Sequence, residues 1–178
     1  MTFGLQLANA LDPYRIPARW LVALYNRDIT VALQPWQFLI RALHVSVVCV
    51  FFGALSILDL RLLGFAPDLP VRPLLRLVLP VVYAAFGLAL LTGFALFFYD
   101  PVAVGSHDWL TPKLLFIALG VVNAVWFNRR YLSPQLASTD EVTHSGHWAA
   151  FVSLFLWGAA IFCACLNAEP PPRLYLGS

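Results

Sequence analysis

Charge is scarce in this chain. Only 11% of its 178 residues are Asp, Glu, Lys or Arg, against about a quarter in a soluble domain, so composition alone argues against a water-soluble globule. The net charge is only +2, and no basic cluster or cationic stripe with interleaved aromatics is present, which excludes nucleic acid as a partner. Cysteine is rare and odd in number: Cys49, Cys163 and Cys165 all fall in apolar stretches, a pattern against a disulfide framework. Met1 is the single methionine. The sequence also lacks a nucleophile–base pair, a catalytic carboxylate pair and a Gly-rich phosphate loop. Gly87 and Gly93 have no βαβ unit to make them a nucleotide fingerprint. A self-contained enzyme is therefore not expected. Residues 1–35 carry Asp12, Arg15, Arg19, Arg27 and Asp28 and so lack the apolar run of a cleavable signal peptide. The first long apolar stretch is expected to act as an uncleaved signal anchor.

What the chain does have is apolar length. Of its residues 61% are hydrophobic, gathered in four stretches at 36–60, 77–99, 112–128 and 145–166. Each approaches the roughly 20 residues that a helix needs to cross a bilayer. The expected fold is all-α: an integral membrane four-helix up-down bundle over residues 36–168, with an interfacial segment at 1–35 and a tail at 169–178. Pro17, Trp20, Leu21, Leu24 and Tyr25 predict an amphipathic helix over 14–34, lying in the membrane interface and ending near Gln34-Pro35. Pro67, Pro70 and Pro73 predict a loop before the second span, which is expected to begin near Pro80. Thr111-Pro112 reads as an N-cap and first-turn proline opening the third. Trp36, Tyr99 and Trp109 then form one aromatic belt, and Tyr83, Trp126, Tyr131 and Trp148 the other. Arg61, Arg72, Arg76, Arg129 and Arg130 gather on the second surface, which makes its loops cytoplasmic and the termini external. Arg15, Arg19, Arg27 and Arg41 stand against that orientation.

Inside lipid, every polar residue becomes a candidate for function. His44 lies about 12 Å below Trp36 by helical rise. Gln37, Arg41, His44 and Val48 share a face, so this stripe is expected to face the bundle interior or a partner rather than lipid. A b-type haem takes an imidazole at such a depth, and Arg41, a turn outward, suits a propionate. The alternative is that His44 hydrogen-bonds a neighbouring helix as packing glue. A second axial ligand is expected, if anywhere, at His107 or Cys163. Cys163 and Cys165 point about 200° apart on a helix and cannot share one ion. Glu141, His144 and His147 follow each other at helical spacing and read either as a solvated cluster or as a transition-metal site. Asp59 and Asn123 are placed to hydrogen-bond across helices, with Arg61, Arg129 and Arg130 snorkelling nearby.

The run Leu43-His44-Val45, then Gly53, then Leu58-Asp59-Leu60-Arg61-Leu62-Leu63-Gly64 resembles a family of uncharacterised bacterial four-helix inner-membrane proteins. Leu79-Pro80, Thr92-Gly93, Phe97, Lys113-Leu114-Leu115, Asn123-Ala124, Ser153-Leu154 and Leu156-Trp157 extend the likeness over roughly residues 36–168. It implies a fold and a bacterial inner-membrane location rather than an activity. More distantly, the layout is similar to copper-resistance D and cytochrome b561-type membrane proteins. The family pattern carries a His near the end of the third span, where this chain has Phe127-Asn128, and Gly-Arg at the end of the fourth, where it has Cys163-Ala164-Cys165.

Three functions follow as expectations. The first is a non-catalytic subunit of a larger, electron-transferring membrane complex, partnered by lipid and by other membrane subunits; the tail Glu169-Pro170-Pro171-Pro172-Arg173 would gain order against such a partner. The second is a haem-binding or porphyrin-binding redox module built on His44. The third is a small copper or solute permease, for which the chain is short and lacks inverted-repeat signals.

Overall fold

A computed structural model describes residues 15–129 and 144–168, and every regular element among them is helical. Four helices are long and apolar enough to cross a membrane. They are α3 (Gln37–Leu62), α4 (Val71–Tyr99), α6 (Leu110–Phe127) and α7 (His144–Ala168), and short helices flank them: α1 (Ala18–Leu24), α2 (Arg27–Leu33) and α5 (Pro101–Gly105).

The N-terminal segment differs from the single helix expected. It breaks at Tyr25-Asn26, where the Asn26 side chain accepts from the backbone of Asp28 at 2.9 Å and of Ile29 at 3.3 Å, starting a new helix. Nor does the chain stop at Gln34-Pro35. It tightens into a 3-10 turn over Gln34–Trp36 and runs on into α3. Proline is tolerated there because a first-turn N–H has no partner to lose. Leu21 is the residue that docks this segment: it is 2% exposed and seated on Gly105 of α5. Arg15 pairs with Asp108, and the Thr30 hydroxyl donates to the Tyr99 carbonyl at 3.0 Å.

Helix α3 ends in a Schellman motif: Phe65 N–H bonds the Leu60 carbonyl at 3.1 Å and Gly64 N–H the Arg61 carbonyl at 3.1 Å, with Gly64 at φ 96°. Arg61 does not snorkel. Its guanidinium turns back to the carbonyls of Leu69 at 2.6 Å and Pro67 at 2.9 Å, tying the connecting loop to the end of the helix. The second long helix begins at Val71, well before Pro80, because Pro73 sits in its first turn and the helix continues across Pro80. Helix α6 is capped from a distance rather than by Thr111: Asn167 of α7 accepts from the Trp109 N–H at 3.1 Å.

Contacts fall into tiers. In the middle tier Phe51 of α3, Phe86 of α4 and Trp157 of α7 pack with ring centroids 4.7–5.5 Å apart. Gly120 of α6 completes it, because a Cβ there would lie 2.8 Å from the Trp157 indole. About two turns away are His44, Thr92, Lys113 and Cys163, again one residue per helix. Residue numbers rise along α3 as they fall along α4 (44 with 92, 51 with 86), so these helices are antiparallel. Helices α6 and α7 pair the same way, through Trp109 with Asn167 and Asn123 with Ala149. The two hairpins meet mainly along α3 and α7. Large apolar side chains cover the outside, with Phe38, Leu77 and Leu91 each more than two-thirds exposed.

The Trp157–Gly120 seat yields a prediction. Gly120→Ala should lower stability by about 1–3 kcal/mol, the usual cost of overpacking. Gly158→Ala, with nothing within 4 Å of its added methyl, should be neutral or slightly stabilising through helix propensity. Thermal unfolding in a mild detergent distinguishes the two.

Candidate functional site

The outer polar tier assembles around His44. Its Nδ1 lies 2.9 Å from Thr92 Oγ1 on α4. The ring edge rests on the next residue, Gly93: a Cβ there would meet His44 Cε1 at 3.2 Å, so a side chain at this position would displace the imidazole. The Thr92 oxygen also lies 2.7 Å from the Leu88 carbonyl and 3.2 Å from that of Ala89. A carbonyl cannot donate, so the single hydroxyl proton goes to the backbone and Thr92 faces the ring as an acceptor. His44 Nδ1 is therefore the ring nitrogen that carries a proton, and whenever the ring is neutral the lone pair is on Nε2. Metal-ligating histidines are fixed in this way, one ring nitrogen donating to oxygen and the other left for the ligand.

The expected stripe divides. Gln37 and His44 are half-buried, but Arg41 is exposed on the outer surface of α3. Lys113, in the first turn of α6, is partly buried at the depth of His44 by helical register. In the sequence Thr92-Gly93 and Lys113 carry family likeness alone, and a hydroxyl in the second span at the depth of His44 is the available signal for its partner.

Of the expected second ligands, His107 is exposed in the turn before α6, where its backbone carbonyl accepts from Leu110 N–H. Cys163 is buried within the tier and Cys165 exposed, as their angular separation requires. The expected metal set falls in part outside the described residues, among which no three His, Cys, Asp or Glu side chains gather. Glu141 lies outside the described residues and His144 opens α7. His147 is partly buried, with Cε1 3.9 Å from where a Gly64 Cβ would stand, which packs it under the α3–α4 loop.

The inner tier matches the expected cross-helix bonding. Asn123 Nδ2 donates to the Ala149 carbonyl at 3.0 Å. Asp59 of α3 and Ser153 of α7 are both buried, and Asp59 Oδ2 has no hydrogen-bond partner among the described residues.

Comparison with protein-family models, with curated proteins and with solved structures finds no match.

The His44–Thr92 pair is testable. Thr92→Val should cost about 0.6–1 kcal/mol, the scale of interhelical hydrogen bonds in membranes, while Thr92→Ser, which keeps the acceptor, should stay close to wild type. Equal stability of the Val and wild-type chains in thermal unfolding would remove the bond from the account.

Proposed function

We propose that this chain is a multi-pass integral membrane protein of the bacterial inner membrane, an up-down four-helix bundle whose N-terminal helices lie in the interface. In this reading it is a non-catalytic subunit of a larger electron-transferring complex and presents His44 to a b-type haem. The membrane placement is supported by four long apolar helices whose outward side chains are themselves apolar, an exposure that is costly in water and favourable in lipid. The bacterial location is carried by the family resemblance.

One observation carries the redox part: the Thr92 contact fixes the His44 ring with Nε2 as its free nitrogen. That is the donor a haem iron takes, and haem would supply one-electron transfer. The described residues bring no second imidazole to His44. His44 would hold the haem iron, and Arg41, exposed on the outer surface of α3, would meet an acid group of the haem.

Two experiments follow. Reporter fusions at Ser133 and Ser106 should give opposite signals, cytoplasmic for Ser133; the reverse pair shows that the N-terminal arginines set the orientation. The complex purified from native membranes should show a Soret band, lost in His44→Ala with the chain still present. A colourless complex, or a band indifferent to that substitution, removes haem from the proposal.

A further inference from the structure

Of the nine acidic residues in the chain, Asp59 is the one that lies within a long helix. It is 5% exposed, and its Oδ2 is buried with no hydrogen-bond partner among the described residues. Two contacts fix its level. Phe51 packs on Trp157 with ring centroids 4.7 Å apart, and His147 Cε1 stands 3.9 Å from where a Gly64 Cβ would be. Helices α3 and α7 are therefore antiparallel, and Asp59 falls between those levels, opposite the stretch 149–153 of α7. Ala149, Ala150 and Ser153 of that stretch are buried as well.

The donors of this end are turned elsewhere. Arg61 stands two residues on, about 200° around the helix, and bonds the carbonyls of Leu69 and Pro67. Asn123 Nδ2 of α6 donates to the Ala149 carbonyl. Arg76 of α4 and Arg129 beyond α6 are exposed, and Arg72 of α4 is partly buried. None of these groups bonds Oδ2. A carboxylate closed off from water, with an oxygen that no donor meets, is costly, and a proton on that oxygen removes the charge. A metal ion is the poorer answer, since no three His, Cys, Asp or Glu side chains gather among the described residues. The titratable side chain that α7 brings to this end is His147, which is partly buried beside Gly64 and so lies between Asp59 and the α3–α4 loop.

We propose that Asp59 is a proton-binding site, and that His147 passes its proton between the buried carboxyl and water at the α3–α4 loop. On release the Asp59 O–H bond breaks, the proton goes to an imidazole nitrogen, and the ring hands a proton on to water; uptake runs in reverse. This site is separate from the His44 tier and does not depend on haem.

Infrared spectroscopy of the full chain in a neutral maltoside detergent at neutral pH tests both parts. The wild-type chain should show the C=O stretch of a protonated carboxyl, absent in Asp59→Asn. In D2O that band should shift as the proton exchanges. His147→Phe should slow the shift about tenfold or more, as loss of a positioned acid–base group does, while His107→Phe, at the other end of the bundle, should leave it unchanged. A wild-type chain without an Asp59-dependent band overturns the site, and an exchange rate indifferent to His147→Phe overturns the relay. If Asp59→Asn does not fold, dicyclohexylcarbodiimide decides the first part, because it enters apolar surroundings and adds to a carboxyl that holds its proton. Mass spectrometry of the wild-type chain should then find the adduct on Asp59, and an unmodified Asp59 overturns the site. Neither readout changes with the presence or absence of a Soret band, so failure of the haem reading and failure of this one are told apart.

Discussion

A polar group away from water must be met by another polar group or be costly to bury, and this constraint organises the whole chain. Apolar helices side by side in lipid gain little from one another by hydrophobicity alone. Their register then depends on the few places where a polar atom on one helix finds its partner on the next. His44 with Thr92 joins α3 to α4, and Trp109 with Asn167 and Asn123 with Ala149 join α6 to α7. Phe51 against Trp157 joins the two hairpins. Between these polar levels lies one close-packed aromatic tier, where Trp157 fits because position 120 has no side chain.

The same constraint turns the outer tier from structure toward chemistry. Thr92 can give its proton to a helical carbonyl and still accept from His44, and in the neutral imidazole that double role puts the proton on Nδ1 and the lone pair on Nε2.

Much of this was legible in the sequence, because the strongest signals were local. Four apolar runs of spanning length fix four helices, and His44, Asp59 and Asn123 stand out because they are polar within them. What was not legible depended on contacts between distant segments. Thr111 looks like an N-cap, but the cap comes from Asn167, on another helix. Gln37, Arg41 and His44 share a face by helical spacing, yet Arg41 is exposed while Gln37 and His44 are half-buried, and the partner of His44 is Thr92 on α4. The break at Asn26 turned on whether its side chain would bond Asp28 and Ile29 rather than stay in a helix, a competition that spacing does not resolve. Proline misled in the opposite direction: Pro73 and Pro80 suggested a late helix start, but a first-turn proline costs little and one interior proline did not stop the helix.

The central claim is that His44 is a fixed, neutral imidazole with Nδ1 protonated and Nε2 free. Nitrogen NMR of 15N-histidine chain in detergent, assigned by comparison with His44→Gln, reads the protonation of each ring nitrogen directly. The account predicts one protonated nitrogen, Nδ1, coupled to a single tautomer that loosens to a mixture in Thr92→Val. A proton on Nε2, or two tautomers in rapid exchange in the wild-type chain, would contradict it.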